Sequence, residues 1–183
     1  MRRPRGAIGG RVAIAAAAAL LLAVPAAADG RASEPQPRIQ AVIRPARVPV
    51  GGLLTVEVAA VGLRNAGAVS FHLVYDPSRL EPVPSGFGEG ALFKERGART
   101  RFLARPAATG DRVIVGLTRL GNGRGAEGAG VVARLVFKSL APGKATVAFD
   151  RGEVTDPRAR PTPARFLPGD VFVLPVKNVG RGR

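Results

Sequence analysis

Residues 69–81, VSFHLVYDPSRLE, alternate strictly in polarity and then stop on an Asp-Pro pair. Val69, Phe71, Leu73 and Tyr75 fall on one side and Ser70, His72 and Val74 on the other, the period of two that marks a strand with one buried face. Asp76-Pro77-Ser78 ends it, because proline has no N–H for a ladder and an aspartate side chain closes a turn on the backbone that follows. Tyr75 shares a side with Phe71 and Leu73, so the core is its expected place.

Similar patterns recur on both sides of this strand. Residues 39–44 set Ile39, Ala41 and Ile43 against Gln40, Val42 and Arg44; 45–52 read as a turn. Leu54, Val56, Val58 and Ala60 line a further strand, and 63–68 turn the chain into the opening one. Residues 82–97 are rich in Gly and Pro, with Phe87, Ala91, Leu92 and Phe93 as anchors of a long connection carrying a short edge strand. Residues 99–105 oppose Thr100, Phe102 and Ala104 to Arg99, Arg101, Leu103 and Arg105, and Gly110-Asp111 supplies a hairpin turn. Residues 113–120 are apolar on both faces, as in a strand near the middle of a sheet. A Gly-rich loop is expected over 121–130 and a strand over 131–140, with Val131, Ala133, Leu135 and Phe137 on one face. After a turn at 141–144, residues 146–149 are extended, 157–168 form a proline-rich connection and 170–176 a last strand. Short strands separated by turn chemistry, with no helical period, spell an all-β fold. The expected architecture is a nine-stranded antiparallel β-sandwich with jelly-roll topology, about nine strands in two sheets.

The ends read differently. Arg2, Arg3, Arg5 and Arg11 precede an uncharged apolar run, 12–24, and Ala26-Ala27-Ala28 follows it, the three-part layout of a secretory signal peptide over 1–28. That run is shorter than the ~18 residues of a membrane span, so cleavage rather than retention is expected, with a secreted or periplasmic destination. Residues 29–38 read as a flexible leader, 39–177 as one sandwich domain and 178–183 as a basic tail. The chain has no cysteine, so disulfides contribute nothing to its stability. The four signal arginines account for part of the net charge of +15, leaving +11. Its arginines are scattered rather than massed, and neither this pattern nor an export signal points to nucleic acid.

Sites of chemistry are sparse. Residues 123–128, GRGAEG, fit G-x-G-x-x-G, but a β-rich run follows where a phosphate-binding turn needs a helix. His72 is the single histidine, which excludes a multi-histidine metal site, and no nucleophile-elbow sequence accompanies it. No carboxylate pair stands in an acid–base context, and the chain reads as non-catalytic. Asp76, Asp150 and Asp156 fall at expected strand ends, where carboxylates serve either as calcium ligands or as turn caps; no EF-hand-type loop is present. No other cofactor is indicated. With no tryptophan and one tyrosine, the chain lacks a stacking strip for sugars.

The opening phrase, G-x-V-x-F-x-L-x-Y-D-P-x-x-L-E, resembles the third strand of cohesin domains. Residues 112–123, RVIVGLTRLGNG, and 131–149, VVARLVFKSLAPGKATVAF, resemble their sixth strand and their late-strand passage, in the same order. The resemblance runs from about Ile39 to Val176. It implies a jelly-roll module that binds dockerins through one sheet face, in assemblies that degrade polysaccharide. The face would comprise outward residues of the third strand and parts of the fifth, sixth and eighth, here Ser70 and His72 with Arg99, Arg101, Leu103 and Arg105. Where dockerin-binding cohesins carry an Asn and an Asp near the start of the third strand, this chain has Ala68 and Ser70. Arginines around an apolar centre suit an acidic protein partner, dockerin-like or other. A carbohydrate-binding module of the same fold group, with polysaccharide as its ligand, is the alternative. A structural accessory of a cell-envelope or secretion assembly is a third.

Overall fold

Strands that alternate like residues 69–75 must bury their apolar face against a second layer, and in the computed structural model of the chain that layer is another sheet. It describes residues 36–121 and 123–176. The expected signal peptide, most of the leader and the basic tail therefore lie outside the described residues. In chain order the strands are β1 Arg38–Arg44, β2 Arg47–Pro49, β3 Leu53–Ala66, β4 Ala68–Val74, β5 Leu80–Pro82, β6 Gly88–Glu89 and β7 Thr100–Pro106. They continue with β8 Arg112–Arg119, β9 Ala126–Ser139, β10 Gly143–Thr155, β11 Pro161–Thr162, β12 Arg165–Leu167 and β13 Gly169–Leu174. One sheet runs β12-β1-β3-β9-β5, with β6 also on β9; the other runs β2-β13-β10-β4-β8-β7, with β11 also on β10.

The core between the sheets is the inward half of these strands. Ile39, Val56, Val58, Leu135 and Phe137 come from the first sheet; Phe71, Leu73, Val115, Leu117, Val147 and Val171 come from the second, all fully buried. The opening strand's apolar side is inside as expected, Val69 to Tyr75 included. Phe71 meets Phe149 edge to face at 5.2 Å, and Phe149 lies 5.5 Å from Phe166, closing one side of the sandwich. Tyr75 packs edge-on against Phe137 at 5.1 Å and donates its hydroxyl to the Gly110 carbonyl oxygen at 2.9 Å. Burial, with the nearby Asp111 charge, pushes that phenol's pKa up.

Several expectations need correction in detail. The described residues hold thirteen strands rather than nine, but β2, β5, β6, β11 and β12 have only two or three residues. Two short pairings, β1 with β12 and β2 with β13, are parallel, so the sheets are antiparallel only in their main ladders. The turn expected at 63–68 shrinks to Gly67, because Leu63 and Ala66 are buried and carry β3 onward. Its partner is the stretch expected to be a loop: Ala126 and Gly128 pair with Ala66 and Leu63, through register shifts that glycine tolerates. A further shift at Val58/Ala59 turns Val132, not Val131, into the core. β10 passes through Asp150 to Thr155 across a bulge at 151–152, where Arg151 adopts φ 52°. Gly152 is required there, since a Cβ would stand 2.6 Å from the Phe166 ring. Leu92 and Phe93 anchor the long connection as expected, whereas Ala91 is exposed. Among the described residues no helix is long and apolar enough to cross a membrane.

Candidate partner-binding face

The second sheet places β10, β4, β8 and β7 side by side, so their outward residues form one surface. Cross-strand register sets that surface in rows. Arg101 stands beside Thr118, then Ala68, then Thr155; Leu103 beside Gly116, Ser70 and Glu153; Arg105 beside Ile114, His72 and Asp150. Of the sequence-predicted site residues, Ser70, His72, Arg101, Leu103 and Arg105 are thus brought together within these rows. Arg99 lies just before β7, exposed, with its carbonyl oxygen accepting from Leu120 N–H at 2.8 Å.

The middle of the face is low and the margins are high. Ala68, Ser70 and Gly116 contribute little or no side chain, and a Cβ built at Gly116 meets nothing within 4 Å. Leu103 rises beside this floor with 52 % of its surface exposed. Arg101 and Arg105 flank it on the same strand, and neither guanidinium has an ion pair or hydrogen bond among the described residues. Glu153 stands free in the same sense on the far side. The face therefore carries two unneutralised positive charges along β7 and, on β10, a single unpaired carboxylate at Glu153, since Asp150 is paired with Arg112 and Arg151, with an apolar residue and a shallow floor between. On the other sheet's outer surface, by contrast, Glu57 accepts from Arg134 at 3.0 Å and pairs with Arg44 at 3.5 Å.

Asp111, Arg112 and Asp150 brace the lower edge of this face. Arg112 donates Nε and Nη2 to the two oxygens of Asp111 at 2.9 and 2.8 Å, and Nη1 to Asp150 Oδ2 at 3.2 Å. Thr109 adds its hydroxyl to Asp111 Oδ1. These hydrogen bonds, Arg112 first, hold the Asp111 carboxyl far below the usual carboxylate range and raise the Arg112 guanidinium. The sequence offered no sign of this brace, because its members come from one turn and a bulge 38 residues away. His72 is half-buried, and its Nδ1 has no hydrogen-bond partner.

The calcium reading of three aspartates gives way to turn capping for two of them. Asp76 Oδ1 accepts from Ser78 N–H at 2.9 Å and from the Ser78 hydroxyl at 2.6 Å, while Oδ2 pairs with Arg79. The serine bonds lower its pKa. Asp156 Oδ1 accepts from the backbone N–H of Arg158 and of Arg160, and Oδ2 from the Arg160 guanidinium, which likewise lower its pKa. Asp150 is not at a strand end at all but inside β10. Among the described residues no three His, Cys, Asp or Glu side chains cluster as metal ligands. No helix follows 123–128 either; β9 does.

No protein-family model matches the chain, and no curated protein matches it in sequence. Its structural similarities are consistent. A type II cohesin domain from the cellulosome of Acetivibrio cellulolyticus superposes with a TM-score of 0.63 at 17 % identity, over 75 % of this chain and 95 % of that one. A non-cellulosomal cohesin from the archaeon Archaeoglobus fulgidus gives 0.61 at 18 % identity, over 76 % and 92 %. A type II cohesin from Acetivibrio cellulolyticus, solved as a mutant of its complex with an X-dockerin, gives 0.65 at 15 % identity, over 76 % and 100 %. The two sheets, their long central ladders and these superpositions establish that the chain has the fold of cohesin domains.

Proposed function

We propose that the chain is an exported, non-catalytic protein-recognition module that receives an acidic partner, dockerin-like or other, on the face formed by β10, β4, β8 and β7. The observation that carries this reading is the triplet Arg101-Leu103-Arg105: two guanidiniums without a partner among the described residues, on either side of a half-exposed leucine, beside a floor of small side chains. Charge complementarity would steer and orient the partner, and exclusion of water around Leu103 would supply the adhesive centre. The dockerin complex of a structural relative supports a protein as the ligand class. Ala68 and Ser70, where the resemblance implies Asn and Asp, set the partner chemistry apart, because they offer a single neutral hydroxyl in place of an amide and an acidic acceptor. The layout of residues 1–28 supports export.

The test is recovery of partners by the tagged chain from envelope and secreted fractions, with and without calcium, run in parallel with an Arg101→Glu/Arg105→Glu variant. A protein captured by the native chain and lost from the variant is expected, and equal capture by both contradicts the assigned face. Retention of the chain on insoluble polysaccharide with no protein recovered would put the carbohydrate-binding alternative in its place.

A further inference from the structure

At one end of the sandwich, beyond the row of Arg101, Thr118, Ala68 and Thr155, an open cleft of about 620 Å³ lies among Asn65, Arg124, Asp156, Arg158 and Arg160. Its walls are fixed by polar contacts. The Asp156 carboxylate takes Arg158 N–H at 2.8 Å, Arg160 N–H at 2.9 Å and Arg160 Nε at 2.7 Å, so it shapes the turn and holds one guanidinium across it. Asn65, at φ 51°, accepts from Gly125 N–H at 2.8 Å through Oδ1 and so pins the loop that bears Arg124. Gly125 alone allows this approach, since a Cβ there would stand 2.2 Å from the Asn65 carbonyl carbon. The guanidiniums of Arg124 and Arg158 have no hydrogen bond or ion pair among the described residues. Three arginines thus face one carboxylate that is already spent, in a recess within the size range of ligand sites.

We infer that this cleft is a binding site for a carboxylate-rich peptide segment, held by forked hydrogen bonds from Arg124 and Arg158. Guanidinium geometry matches carboxylates two bonds at a time, and a turn preset by Asp156 lowers the ordering cost of the site. No aromatic ring lines the cleft for a sugar or a nucleobase to stack on, which favours a peptide over a polysaccharide or a nucleic acid. The site is separate from the rows that carry Arg101 and Arg105.

Fluorescence anisotropy of labelled hexaglutamate with the full chain tests this. An Arg124→Ser/Arg158→Ser variant is compared with an Arg38→Ser/Arg165→Ser control, which removes the same charge from exposed positions on the other sheet. Thermal unfolding checks that both remain folded. The native chain and the control are expected to bind alike, and the cleft variant about tenfold or more weaker. Equal binding by the cleft variant and the control would reduce the attraction to bulk charge and overturn the site. Tighter binding of hexagalacturonate than of hexaglutamate, or full displacement by equimolar inorganic phosphate, would overturn the peptide assignment. None of these results bears on the sheet face, whose rows contain neither Arg124 nor Arg158.

Discussion

Leu103 and Phe71 show how the same alternation gives two residues opposite duties. Phe71 is buried among rings contributed by β10 and β12, so Phe71→Ala leaves a cavity that neighbouring strands cannot close. It is expected to cost about 3–5 kcal/mol in urea unfolding. Leu103 faces solvent, and Leu103→Asp is expected to leave stability within about 0.5 kcal/mol while weakening partner binding at least ~tenfold, or about 1.4 kcal/mol. A large loss of stability in the second variant would mean that Leu103 belongs to the core after all. Carboxylates make the pH prediction. Asp76, Asp111, Asp156 and Asp170 are all held below their ordinary pKa by hydrogen bonds or ion pairs, Asp170 chiefly by the Thr146 hydroxyl. A depressed folded-state pKa contributes stability above the unfolded value, roughly 4, and loses it as pH falls through the folded one. Urea midpoints are therefore expected to agree at about pH 7 and 5 and to drop at about pH 3, modestly because these groups are exposed. An unchanged midpoint at the lowest pH would contradict the network.

At the scale of elements, what the sequence made legible is what strict alternation can report. The inward faces of β1, β3, β4 and β7 follow from residue order alone, because a period of two carries its own burial code. The outward register that joins Ser70 to Leu103 through Gly116 is a property of pairing, which alternation does not contain; only the family resemblance pointed to those strands together. Glycine misled most. In 121–130 it reads as loop, yet from Ala126 onward the chain pairs with β3 through bulges. The same ambiguity hid the second half of β10, whose bulge rests on Gly152 beneath Phe166. Gly152→Ala is expected to cost about 1–3 kcal/mol by crowding that ring. In a Phe166→Ala background the added cost should largely vanish; a cost unchanged in the double variant would show that the ring is not what demands glycine.

At the scale of the whole sandwich, the described residues form two sheets whose charge is unevenly satisfied. On one outer surface Glu57 draws Arg44 and Arg134 together, while on the other the arginines of β7 are left to solvent. An acidic partner drawn to that surface should associate more slowly as salt rises, with a smaller change in dissociation. Stopped-flow association rates at low and physiological ionic strength would show a decline, and salt-independent rates would argue against electrostatic steering. The claim at the centre of this account is that partners dock on the face of β10, β4, β8 and β7. Hydrogen–deuterium exchange of the chain, alone and saturated with its captured partner, tests it most directly. Slower exchange along Thr100–Pro106 with the outer sheet Arg38–Arg44 unchanged is the predicted result; protection confined to Arg38–Arg44 and its neighbours would contradict it.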